Sequence, residues 1–189
     1  MGAGMELTPE MIYRETIDGP WGPTTGSPLG ARLCWQVNTA RLIGDRIDAT
    51  LVTPGMDWIR IGADGTRRQD LRVTLADEDG EVIMLSYDNA LIRESPAFLA
   101  ALGEGRETRF GDQYMRMVAQ FDTGAARYRR LTQSLFIGEG RLAGPRTIEY
   151  RIHPSTGSTA WIEPPGSGGA CTPTPAPDIG RNFPLSRIG

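Results

Sequence analysis

The chain has no lysine; all 20 of its basic residues are arginine. This excludes Schiff-base catalysis, a covalently held pyridoxal cofactor and the phosphate-binding loop that depends on a lysine. Histidine is almost as scarce. His153 is the only one, so a zinc site built on several imidazoles is excluded, and a serine–histidine triad would require that residue to fold back into a pocket. Cys34 and Cys171 are far apart and lack the spacing of a metal-binding or redox pair, so both read as ordinary thiols. Gly138 and Gly140 form a G-x-G fragment without the third glycine or the strand–helix setting of a dinucleotide fingerprint, and read as a strand feature. No apolar run approaches the length of a membrane helix, and the first twenty residues have neither the basic start nor the apolar core of a secretory signal. A cytoplasmic protein without a membrane partner is the expectation. The net charge of -3 argues against nucleic acid as the main partner, because a phosphate backbone calls for concentrated basic surface.

What remains for chemistry is carboxylate, tyrosine, arginine, hydroxyl and thiol. The sequence offers no carboxylate cage, so the expected site holds no metal and no cofactor.

Most of the first 152 residues alternate apolar and polar side chains in short runs separated by turn residues, the pattern of an all-β barrel or sandwich. The runs are EMIYRETID, ARLCWQVNTARLIG, DRIDATLVT, DWIRIG, QDLRVTLAD, EVIMLSYDN, QYMRMVAQFDT, SLFIGEGRL and RTIEYRI. Asp64-Gly65 and Asp79-Gly80 are strong hairpin signals and imply antiparallel neighbours. GPWGPTTGSPLG reads as a long loop. One helix is expected over 95–103, with Ser95 as cap, Pro96 in the first turn, Phe98, Leu99 and Leu102 as its apolar stripe and Gly103 at its end. A shorter helical turn is expected in AARYRRLTQ, with Tyr128 and Leu131 inward. Residues 1–7 form an extension and 8–152 the barrel domain. From 153 to 189 the chain is rich in Pro, Gly, Ser and Thr, a composition that does not fold alone. Trp161, Ile162, Phe183 and Leu185 are candidate anchors for this tail on the barrel or on another subunit.

The ordered series Asp57-Trp58, Asp64-Gly65, Asp70, Arg72, Asp79-Gly80, Tyr114, Arg116, Phe121, Thr123, Tyr128 and Phe136 resembles the bacterial and fungal family known as domain of unknown function 3237. The resemblance covers about residues 8–152. Thr132 stands where that pattern has an asparagine, and the tail has no counterpart in it. The resemblance implies an antiparallel β-barrel of about eight strands, similar to the allene oxide cyclase and dirigent barrels that enclose hydrophobic small molecules and steer cyclisation or coupling. It implies no particular activity.

Two placements of the charged face of the strand around Leu71 are open. With Leu71, Val73 and Leu75 in the lumen, Asp70 and Arg72 are solvated surface. With the charges inward, the apolar sets Leu71/Val73/Leu75, Ile59/Ile61 and Met115/Met117 need cover from the helix, the tail or a second subunit, and Asp70 and Arg72 pair with each other. The second placement is the working expectation. It assigns Asp70, Arg72, Tyr114 and Arg116 to catalysis and Asp57 and Tyr87 to substrate binding. Trp35 and Trp58 would form an aromatic wall, or else belong to the core. Arginine would hold a carboxylate, enolate or phenolate, while a buried carboxylate and a tyrosine would move protons.

The leading functional expectation is a cofactor-free enzyme that isomerises, cyclises or eliminates on a hydrophobic aromatic or polyketide-like small molecule. Its rivals are a non-catalytic carrier barrel for such a ligand and a structural oligomerisation module. A homo-oligomer is the expected assembly.

Overall fold

The computed structural model describes residues 8–93 and 95–155. Strand propensity and turn chemistry produce nine strands: β1 (Met11–Trp21), β2 (Ala31–Gly44), β3 (Ile47–Leu51), β4 (Gly55–Ile61), β5 (Arg67–Ala76), β6 (Val82–Arg93), β7 (Tyr114–Asp122), β8 (Phe136–Leu142) and β9 (Thr147–Pro154). Each alternating run of the sequence overlaps one of them. All pairings are antiparallel, and β1 bonds both β9 and β2, which closes the sheet into a barrel. β3 and β4 together fill one position. β3 pairs with the C-terminal part of β2 and β4 with its N-terminal part, and both lie against β5. Pro54, which has no N–H to give a ladder, stands in the break between them. Nine segments therefore make an eight-stranded barrel.

The two Asp-Gly turns are built alike. In each, the glycine N–H donates to the carbonyl three residues back, Gly65 to Gly62 and Gly80 to Asp77. Both glycines have positive φ, 78° and 81°, a conformation that costs glycine little. The loop after β1 is shorter than expected, because β1 runs on through Gly19, Pro20 and Trp21.

Helix α1 (Pro96–Glu104) starts where expected. The Ser95 hydroxyl accepts the Phe98 N–H at 3.1 Å. It ends later than expected: Gly103 stays helical, and Gly105, with φ 66°, is the left-handed cap. A 3-10 turn (Ala126–Tyr128) and α2 (Arg129–Thr132) carry Tyr128 and Leu131 into the core as anticipated. Among the described residues, no helix is long and apolar enough to cross a membrane. Residues 1–7, Cys171 and the tail anchors Trp161, Ile162, Phe183 and Leu185 lie outside the described residues, and β9 continues to Pro154.

The barrel lumen is the core. Leu71, Val73, Leu75, Ile59, Met115 and Met117 all point into it and are buried. This overturns the expected inward placement of the charges. Those apolar sets cover each other across the lumen, and the alternating charges sit in water. Gly138 and Gly140 occupy inward positions on β8 for a packing reason: a Cβ there would lie 2.6 Å from side-chain atoms of Met117 and Met115, respectively. Phe121 and Phe136 pack edge to face, with centroids 5.2 Å apart.

Candidate functional site

The inward sets of three strands each contain a polar residue among apolar ones. In β1 the set Met11, Tyr13, Glu15, Ile17 delivers Glu15; in β4 the set Gly55, Asp57, Ile59 delivers Asp57; in β5 Gln69 precedes Leu71. All three polar side chains are buried, with Glu15 only 2% and Asp57 3% exposed. Three fully buried tyrosines, Tyr13, Tyr87 and Tyr150, lie with them.

Hydrogen bonds join most of this cluster. Tyr13 Oη donates to Glu15 Oε2 at 2.7 Å. Tyr150 Oη donates to Gln69 Oε1 at 3.2 Å, and Gln69 Nε2 donates to Asp57 Oδ2 at 2.6 Å. Asp57 Oδ1 and Tyr87 Oη are buried without a partner among the described residues. The rings of Tyr87 and Tyr150 are 6.0 Å apart.

Burial dominates the electrostatics, since a carboxylate loses its hydration inside the barrel. Desolvation pushes Asp57 up to about 7, against a smaller stabilisation of its charge by Gln69. Glu15 is pushed up to about 8, first by desolvation and then by the charge on Asp57, with the Tyr13 hydroxyl opposing. A charge on Asp57 helps to keep the proton on Glu15. Burial holds Tyr13, Tyr87 and Tyr150 in the neutral phenol form.

Above the pair lies a cavity of about 50 Å³ at the α1 end of the barrel. Glu15, Asp57 and Gln69 contribute polar groups, Arg67 also lines it, and Trp35, Ile59, Ile92, Met115 and Ile148 form apolar wall. Phe98 and Leu102 of α1 line it as well. The space suits a water molecule or two. Cys34 is a buried free thiol, and Trp58, its partner across β2 and β4, points outward. Among the described residues, no group of three or more metal-ligating side chains is placed to hold an ion.

The proposed site residues divide by face. Asp57 and Tyr87 are in the lumen, and Trp35 faces the cavity. Asp70, Arg72, Tyr114, Arg116 and Trp58 are on the outside, which corrects their expected inward placement. The Arg72 side chain is 80% exposed and only 3.6 Å from Asp70 at its nearest. Arg116 pairs with Glu139 at 2.8 Å and lies over the Tyr114 ring. The physical reason is parity: outward neighbours of lumen residues carry their charges into solvent at no desolvation cost. Sequence reasoning missed Glu15 and Gln69. The signal that finds both is a polar residue on the otherwise apolar parity of its strand.

A family model described as "Protein of unknown function (DUF3237)" matches residues 6–154. No curated protein matches. Among solved structures, a conserved protein of unknown function from Rhodopseudomonas palustris is 18% identical with TM-score 0.70, over 81% of this chain and 99% of its own. A beta-barrel like protein from Acinetobacter baumannii is 21% identical with TM-score 0.65, over 82% of this chain and 98% of its own. A protein described as an enzyme from Penicillium herquei is 19% identical with TM-score 0.51, over 80% of this chain and 99% of its own.

Proposed function

The chain belongs to the DUF3237 family, and from the carboxylate pair inside its barrel we propose that it is a cofactor-free acid–base enzyme. Its substrate on this reading is a hydrophobic aromatic or polyketide-like small molecule, and the reaction an isomerisation, cyclisation or elimination. The observation that carries the reading is Asp57 and Glu15, buried together at one apolar cavity with pKa values raised to about 7 and about 8. Two buried carboxyls that resist ionisation and feel each other's charge can share one proton, and such a pair supplies a base and an acid near neutral pH. The Penicillium herquei protein supports catalysis on this fold in one case.

In the proposed chemistry, Asp57 Oδ1 takes a proton from a carbon beside a carbonyl, and the C–H electron pair moves into an enolate. Tyr87 Oη, which is buried without a partner among the described residues, donates a hydrogen bond to the developing oxyanion. Glu15 returns a proton at another atom, which gives isomerisation, or protonates a leaving group, which gives elimination. Gln69, bonded to both Asp57 and Tyr150, fixes the orientation of the base. The apolar wall and the buried acids favour an uncharged substrate over the carboxylate or phenolate expected from the arginines, which lie outside.

A carrier would need the same apolar enclosure but not the carboxylate pair. Proton exchange separates the two. Indanone or tetralone incubated with the protein in heavy water should lose α-protons faster than in buffer, and the acceleration should vanish in Asp57→Asn. Binding of these ketones without accelerated exchange would favour the carrier.

A further inference from the structure

The outer face of β2, β4 and β5 carries a feature that the lumen chemistry does not use. Arg32, Arg60 and Arg68 stand directly opposite one another across the three strands. All three are exposed; Arg32 and Arg60 make no ion pair among the described residues, and the charge of Arg68 acts on Asp64 in the turn after β4. Like charges in direct cross-strand register oppose sheet formation. The chain is acidic overall, so this row is a local concentration rather than a general bias. Trp58 lies in the next outward row, half exposed between Cys34 and Asp70, and Arg72 follows in the row beyond it, opposite Met56. Arg32, Met56, Trp58, Arg60, Asp70 and Arg72 line a single surface groove of about 570 Å³.

We propose that this groove binds a compact aromatic oxyanion of the aryl phosphate type. Guanidinium groups present paired N–H donors that match phosphate oxygens, and the exposed indole of Trp58 offers a platform for a planar ring. Binding a dianion between Arg32 and Arg60 offsets their mutual repulsion. Two boundaries make the ligand compact rather than polymeric. Along the row, the next strand presents Leu91, and Arg116 beyond it is already neutralised by Glu139. In the Trp58 row, Asp70 faces Asp88, and these carboxylates would repel a polyanion extended across β6.

The test is an NMR titration of the full ¹⁵N-labelled chain with phenyl phosphate, inorganic phosphate and phenol separately. Phenyl phosphate should shift amides of β2, β4 and β5 saturably and bind at least about tenfold more tightly than either fragment. Arg60→Gln should weaken binding by at least about tenfold while its melting temperature stays equal or rises, because a cross-strand repulsion has been removed. Trp58→Ala should erase the preference for phenyl phosphate over inorganic phosphate, and Glu15→Gln should leave binding unchanged. Arg32→Gln serves if Arg60→Gln does not fold. Absence of saturable shifts at millimolar ligand, or wild-type affinity in the arginine variants, overturns the proposal. So does an oligothymidylate that occupies the face and resists displacement by phenyl phosphate.

Discussion

Asp57 and Tyr87 lie in one cross-strand row of the barrel with Leu71 between them, and each presents a buried polar atom without a partner among the described residues. An unpaired buried donor or acceptor costs about 1–3 kcal/mol. Two of opposite kind, one an acceptor and one a donor, are a cost that a core would be free to shed by substitution. A guest with a C–H acid and a carbonyl would satisfy both.

Tyr87→Phe separates that role from packing. It removes an unsatisfied hydroxyl and keeps the ring, so stability should hold or rise by up to about 1 kcal/mol. If the hydroxyl stabilises an oxyanion, ketone exchange should fall by about 10²–10³. Melting temperature and exchange rate measured on the same preparation check this. A large loss of stability with unchanged exchange would make Tyr87 a structural residue.

The carboxylate pair sets the direction of the pH dependence of stability. Glu15 is raised from 4.5 to about 8 and Asp57 from 3.8 to about 7, so between those limits the folded chain binds more protons than the unfolded one. Stability from these groups is therefore greatest at acid pH and is lost as pH rises through the folded values. Denaturant melts across pH 5 to 8 should show falling stability, and Glu15→Gln together with Asp57→Asn should flatten the slope. An unchanged slope in the double variant would show that other groups cause it.

Packing on β8 yields a prediction independent of function. Gly138→Ala places a methyl against Met117 and should cost about 1–3 kcal/mol through overpacking. Met is flexible, so Met117→Ala in the same chain should recover part of that loss. Urea melts of the single and double variants read the coupling.

The strands, the hairpin turns and the helix were legible because each has a local cause: period-two alternation, glycine at positive φ, and Ser95 before Pro96. Which face of each strand points inward was harder to read. In β5 the uniform set Leu71, Val73, Leu75 is the lumen and the mixed set Asp70, Arg72, Thr74 is the surface, as simple hydrophobic burial dictates. Charges placed inside would leave Met115 and Met117 on an outer face in need of cover, whereas in a closed barrel opposite strands supply that cover. Asp57 was picked out from its motif and Glu15 was not, since Glu15 sits between Arg14 and Thr16 in an unremarkable stretch. Only its parity with Met11, Tyr13 and Ile17 marks it, and that requires the inward set to be known first. Distance across the barrel, which joins β1 to β4 at this site, has no sequence signal at all.

Helix α1 lines the cavity with Phe98, which is buried. Phe98→Ala should open this end, at about 3–5 kcal/mol of stability, and speed the uptake of tetralone measured by stopped-flow fluorescence. Uptake as slow as in the wild type would mean that guests do not enter past α1.

The most direct test needs no substrate. Carbon-13 labelling of aspartate and glutamate carboxyls, followed by NMR across pH, reads the two buried groups individually. Asp57 should titrate near 7 and Glu15 near 8, and Asp57→Asn should lower the Glu15 value because the neighbouring charge is gone. Both carboxyls titrating near 4, with Glu15 indifferent to Asp57→Asn, would contradict the acid–base pair and the function built on it.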